Sequence, residues 1–178
     1  ALKGSDSKRF KEIQERLSVL SNQFSKNVLQ ATNSWKKSVS IDDLNGYSEA
    51  ELSKVRDGDE YVVSLQIPVY IDLMTYAENR GLREEVYRAY ISRASDVGIT
   101  PVKFDNRKVM DEILKLRSEM SILLGLSNYA EYSVQSKMVD SPASVIDFLE
   151  KLVNLSHLQA NTELTDLEAF AGHDLMPC

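Results

Sequence analysis

Residues 75–95 read TYAENRGLREEVYRAYISRAS, and this stretch indicates the fold class. From Leu82 onward its apolar residues recur at three- and four-residue steps, which places them on one face of an α-helix. Arg80-Gly81 interrupts the pattern. Upstream of the stretch, Pro68 suits the first turn of a helix. We therefore predict one helix from Pro68 to about Asn79 and a second from about Leu82 to Val97. The order of residues is more specific than an amphipathic helix requires.

The rest of the chain also predicts long helices. Only 7 glycines and 4 prolines are present, so there are few places for an element to end. The other helices are expected from Ser7 to about Trp35, from Asp105 to Leu124, from Ser127 to Lys137 and from Ser141-Pro142 to about Phe170. In the last of these we expect a core face, which is formed by Val145, Leu149, Leu152, Leu164 and Leu167.

Two segments carry a β signal. Residues 36–41 and 61–67 are rich in β-branched and aromatic side chains, and a short helix is expected between them at residues 48–55. No repeat of fixed period is present, which disfavours a solenoid. We predict a mainly α fold: a multi-helix bundle over residues 1–178, with one small antiparallel two-stranded β element.

Charge, hydropathy and cysteine content indicate which partners and which cellular compartment to expect. The net charge of −6 argues against a nucleic-acid partner, which normally leaves a basic footprint. No apolar run reaches the roughly 18 residues that span a bilayer, and the first residues do not resemble a signal peptide. The single cysteine, Cys178, cannot form an internal disulfide. These features predict a cytoplasmic protein.

The sequence offers no complete catalytic constellation. His157 and His173 are the only histidines, and neither has a second His or Cys one helical turn away, as a zinc site on a helix requires. The adjacent acidic pairs Asp42-Asp43, Glu84-Glu85 and Asp111-Glu112 point about 100° apart on a helix, so they are interpreted as solvated faces. Neither a nucleophile elbow nor a phosphate loop is present. The eight tyrosines are compatible with core packing or with a peptide channel, and core packing is favoured. We therefore assign no catalytic or metal-binding residue, and leave substrate-binding residues unassigned.

A series of short blocks in the chain resembles the thimet-oligopeptidase family of zinc metallopeptidases. The blocks are collinear with that family across nearly the whole chain, which is far more specific than any one of them. They include Leu20–Ser25, Asn27–Leu29, Ile67–Tyr70, Met74–Tyr76, Asn79-Arg80, Leu82–Glu84, Tyr87–Tyr90, Arg93–Asp96, Phe104–Asn106, Glu112–Leu114, Leu123–Gly125, Asn128–Glu131 and Lys137-Met138.

This resemblance implies a zinc endopeptidase of short peptides, built from two largely helical halves around a deep channel. In that family the histidines of a His-Glu-x-x-His helix and a later glutamate bind zinc, and no matching positions exist in this chain. We therefore expect residues 1–178 to be an internal, non-catalytic portion upstream of the zinc helix that helps to wall the channel. Zinc is expected in the longer parent and not in this chain, which we expect to be inactive alone and to self-associate. The alternative is a stand-alone helical binding module.

Overall fold

The computed structural model describes residues 2–98 and 101–176. This part of the chain is mainly α-helical, which confirms the predicted fold class. Within it, no helix is both long enough and apolar enough to cross a membrane. The elements are α1 (Gly4–Ser34), β1 (Lys36–Val39), α2 (Glu49–Val55), β2 (Arg56–Asp57), β3 (Glu60–Ser64), α3 (Ile67–Tyr76), α4 (Arg80–Ile91), α5 (Arg107–Leu123), α6 (Tyr129–Val134) and α7 (Pro142–Ala171).

The chain divides into two compact units. One comprises residues 15–113 and the other comprises residues 1–14 together with 114–177. The first unit therefore holds the sheet, α2, α3 and α4, and the second holds α6 and α7. Helices α1 and α5 contribute residues to both.

The sheet in the first unit has three strands, where the sequence predicted two. Strand β3 lies in the middle and pairs antiparallel with both β1 and β2. Lys36 aligns with Ser64 across the first pair, and Asp57 aligns with Glu60 across the second. The sequence did not predict strand β2, because Arg56-Asp57 has no β-branched or aromatic residue. It forms because Gly58, at φ 63°, turns the chain back onto β3.

The core of this unit lies between the sheet and helices α2, α3 and α4. Its fully buried side chains include Val63 from β3, Leu73 from α3 and Val86 from α4. Trp35, Tyr70 and Tyr90 pack against this cluster from its margin. The apolar face that the 75–95 stretch predicted for α4 is thus the face that builds the core: Leu82, Val86 and Ala89 are all buried.

The ends of α3 and α4 differ from the prediction. Helix α3 ends at Tyr76 rather than Asn79, because the side chain of Asn79 caps the next helix by accepting a hydrogen bond from Leu82 N at 3.1 Å. Helix α4 ends at Ile91 rather than Val97. Ala94 has φ 52°, which a helix does not tolerate, and the Ser95 hydroxyl donates to Ser92 O at 2.8 Å within the turn that follows.

The start of α5 was predicted at Asp105 and lies at Arg107. The Asp105 carboxylate still accepts a hydrogen bond from Arg107 N at 2.9 Å, so it caps the helix from one residue further out. Helix α6 is capped by Asn128, whose side chain accepts from Glu131 N, and not by Ser127 as predicted. It also ends at Val134, before the predicted Lys137. By contrast, the Ser141 cap of α7 and the adjacent Pro142 agree with the prediction.

In the second unit, Arg9 pairs with Glu119 through two hydrogen bonds of 2.6 and 2.8 Å. Its buried side chains include Ile13, Leu116 and Met120. Helix α7 contacts chiefly α6, and the core face predicted for it is mostly exposed. Leu149, Leu152, Leu164 and Leu167 are each about half exposed, while Val145 is partly buried. That prediction is wrong for this chain, because within its own unit the short helix α6 is the chief element that packs against α7.

Candidate functional site

The candidate site is an apolar groove in the 15–113 unit, which we call the Arg93 groove. Its volume is about 400 Å³, which is in the range of small-ligand sites. Helix α1 contributes one wall and the start of α3 contributes another, while Tyr90 and Arg93 close the third side. Its side chains include Phe24, Val28, Leu29, Ile67, Tyr90 and Arg93.

A stack of three planar groups fixes the polar side of this groove. The Tyr70 and Tyr90 rings are stacked, with centroids 3.9 Å apart and planes 15° apart. The guanidinium carbon of Arg93 lies 3.5 Å from the centroid of the Tyr90 ring. A cation over an aromatic face is attracted by the ring's quadrupole, so this stack orients the guanidinium through its face. The stacking therefore fixes the plane of the guanidinium, and Arg93 is among the residues that line the groove.

Two of the Arg93 nitrogens, Nε and Nη1, are buried and have no hydrogen-bond partner among the described residues. No acidic residue is among the described residues that line the groove. A buried charged donor without a partner is costly, typically by about 1–3 kcal/mol or more. The groove therefore combines an apolar wall with a positive charge for which the described lining residues supply no counter-charge.

The described residues do not fit the zinc centre that the family resemblance implies. Across residues 2–98 and 101–176, no three His, Cys, Asp or Glu side chains form a group that could hold a metal ion. The His157 ring lies 3.1 Å from the side-chain nitrogen of Asn161, one turn further along α7. His173 bonds to the backbone carbonyl of its neighbour Asp174.

Three of the carboxylates in the adjacent acidic pairs form ion pairs with different basic side chains. Glu84 pairs with Arg88 along α4, whereas Glu85 pairs with Lys37 of β1. Glu112 pairs with Arg16 of α1. Each of these three carboxylates therefore has a basic partner of its own.

Asp43 carries the most developed set of hydrogen bonds among these carboxylates. It accepts from the Ser40 hydroxyl at 2.7 Å, from Ser40 N at 3.0 Å and from Asn79 Nδ2 at 2.9 Å. These donors, the Ser40 hydroxyl first, lower the pKa of Asp43 below its usual value. Asp43 thus anchors the cap of α4 to the loop before α2.

The tyrosines serve different purposes. Tyr70 and Tyr90 support Arg93, and Tyr129 packs beside Tyr132 in the other unit. The Tyr47 hydroxyl is buried and has no hydrogen-bond partner among the described residues. Burial, with the nearby carboxylates of Asp72 and Glu51, raises the pKa of Tyr47. Packing thus accounts for much of this set, while the sequence alone assigned no role to Arg93. The i,i+3 spacing of Tyr90 and Arg93 was the local sequence signal for their contact, since residues three apart are neighbours on a helix surface.

Sequence comparison defines the class of this protein. The sequence profile of peptidase family M3 matches residues 73–177, more than half of the chain. This chain therefore belongs to peptidase family M3.

Individual relatives are similar over almost the entire chain. Oligopeptidase A of Escherichia coli is 46% identical over 170 residues, covering 92% of this chain and 25% of the relative. A probable cytosolic oligopeptidase A of Arabidopsis thaliana is 37% identical, covering 96% and 26% respectively. Saccharolysin of Saccharomyces cerevisiae is 27% identical, covering 94% and 23%. The chain thus spans about a quarter of the length of these relatives.

Proposed function

We propose that this chain is the helical, non-catalytic portion of a zinc-dependent endopeptidase that cleaves short peptides. The observation that carries the proposal is the similarity to oligopeptidase A over 92% of the chain. The described residues offer no group of metal ligands, so zinc and the groups that activate water would come from sequence outside residues 1–178. The chain's own task is architectural: it supplies part of the wall that limits the channel to short peptides.

Helix α7 supports this architectural role. It is 30 residues long, and the exposed side chains of Ile146, Leu152 and Leu158 lie about 120° apart around it, because they follow at six-residue steps. A helix that is apolar on several sides is normally buried within a larger protein. We therefore assign α7 to an internal position in the longer peptidase. In the isolated chain the same surface favours association between copies.

The cytoplasm is the proposed compartment. The low cysteine content and the name of the Arabidopsis relative, a probable cytosolic oligopeptidase A, both favour it. Another Arabidopsis relative is named as an organellar, chloroplastic or mitochondrial, oligopeptidase A. Fractionation of the source cells tests this assignment, and recovery of the protein in an organelle fraction would contradict it.

A stand-alone binding module is the second candidate. The Arg93 groove favours it, because a ligand can bind there without a metal. Both proposals predict that the isolated chain neither binds zinc nor hydrolyses a short quenched-fluorescence peptide. The gene sequence after the codon for Cys178 separates them, while the zinc and hydrolysis assays test the peptidase-portion proposal. One tightly bound zinc per chain, with hydrolysis that a chelator abolishes, would overturn it.

A further inference from the structure

We propose that the Arg93 groove binds the C-terminus of a short peptide whose last residue is apolar. The inference goes beyond the proposed function and does not depend on it, because binding requires neither zinc nor hydrolysis. It rests on three properties of the groove: an unpartnered charge, an apolar wall and a small volume.

The charge identifies the group that binds. A guanidinium keeps its charge throughout the physiological pH range, and burial of Nε and Nη1 removes those atoms from water. Since the described residues of the lining carry no carboxylate, a bound carboxylate supplies the missing counter-charge. Guanidinium–carboxylate interactions are among the stronger hydrogen-bonded pairs in proteins.

The wall identifies what stands beside the carboxylate. Leu29 and Ile67 line the groove and are each more than half exposed, so both offer apolar surface to a ligand. Val28 and Phe24 extend the same surface along α1. At a peptide C-terminus the last side chain and the carboxylate leave the same carbon atom. That geometry places an apolar group and an anion side by side, as the groove requires.

The volume limits the size of the ligand. A space of about 400 Å³ is at the lower end of the small-ligand range, and it suits one or two residues rather than a helix. The Tyr70–Tyr90–Arg93 stack holds the cation in position before a ligand arrives, which reduces the ordering cost of binding.

The test compares three probes by NMR titration of the 178-residue chain: N-acetyl-leucyl-leucine as the free acid, N-acetyl-leucyl-leucinamide, and N-acetyl-aspartyl-leucinamide. The free acid is expected to bind about tenfold or more tightly than either amide, with shifts at residues of the groove. Equal binding of the free acid and its amide, or no binding of either, would overturn the proposal. Equal binding of the aspartyl amide would overturn the assignment to a C-terminus.

Two variants then assign the effect to Arg93. Arg93→Gln is expected to abolish the preference for the free acid, while Arg93→Lys retains part of it because the charge remains. Arg88→Gln is the matched control, because Arg88 lies on α4, is exposed and pairs with Glu84. It is expected to leave the preference unchanged. A preference that survives Arg93→Gln in a chain whose thermal unfolding is unaltered would contradict the assignment.

Discussion

Asn27 donates a hydrogen bond from Nδ2 to Oδ1 of Asn106 across 2.8 Å, and both side chains are at least 95% buried. Gln23 Nε2 donates to Asn27 Oδ1 at 2.6 Å, and Asn106 Nδ2 donates to Phe24 O at 3.1 Å. The backbone N–H of Asn106 in turn bonds to Ala94 O at 2.9 Å. This buried polar network ties α1 to the start of α5 and to the turn that contains Arg93.

Replacing Asn106 by alanine leaves the buried Asn27 donor without its partner and removes the hydrogen bond to Phe24 O. We expect Asn106→Ala to lower the free energy of unfolding by about 1–3 kcal/mol. Asn22→Ala, at an exposed position on α1, is the control and should change it by less than about 0.5 kcal/mol. Urea unfolding measures both. A loss no greater for Asn106 than for Asn22 would show that the network contributes nothing.

Gly46 occupies a backbone position that excludes a side chain. Its φ is 96°, and a Cβ placed there would lie 2.0 Å from the backbone oxygen of Tyr76. Gly46→Ala should cost about 3 kcal/mol, combining backbone strain with a forced shift of the end of α3. Gly58→Ala is the matched control, because φ is 63° there but the space is open. It should cost about 1 kcal/mol. Equal losses by thermal unfolding would contradict the steric account.

Asp43 predicts a pH dependence of stability. Its folded pKa is lowered by the Ser40 hydroxyl first, and then by the Ser40 N–H and Asn79, so folding favours the charged carboxylate. The resulting stabilisation is present above the usual pKa of 3.8 and is lost as the pH falls through the lower, folded value.

Asp43→Asn and Ser40→Ala should therefore both lose less stability than the parent chain between pH 5 and pH 3, as urea unfolding at each pH measures. Ser21→Ala, exposed on α1, serves as the control with the parent slope. If both variants kept the full acid-induced loss, the hydrogen bonds of Asp43 would not be its source.

The periodicity of the 75–95 stretch was sufficient to predict a buried face on α4, because burial of Leu82, Val86 and Ala89 depends on the 3.6-residue repeat alone. It was insufficient to predict where α4 ends. Ile91 is followed by a turn in which Ala94 adopts φ 52°, and that conformation is held by the Asn106 N–H. Such a contact between distant residues leaves no local pattern in the sequence.

The candidate site was harder to predict than the fold. Tyr70, Tyr90 and Arg93 come from two helices and a turn, and their stack exists only after α3 and α4 pack together. Helix α7 shows the opposite difficulty. Its apolar spacing correctly predicted a helix, but spacing does not reveal whether the partner that buries Leu149 or Leu164 is part of the same chain.

The exposed surface of α7 predicts association of the isolated chain. We expect its weight-average sedimentation coefficient to rise with protein concentration, because contiguous apolar surface favours contact between copies. Replacing Leu155 and Leu158 by glutamate should weaken that association by about tenfold or more, since the interface would then bury charge. Asn154→Glu is the control on the same helix. A chain that remains monomeric at the highest concentration would contradict this prediction.

The proposed function requires that the zinc site belong to sequence outside residues 1–178. The most direct measurement is the DNA sequence of the gene after the codon for Cys178. The proposal predicts an open reading frame that continues into a His-Glu-x-x-His motif. A stop codon at that point would contradict it and would leave a stand-alone helical binding module as the supported function.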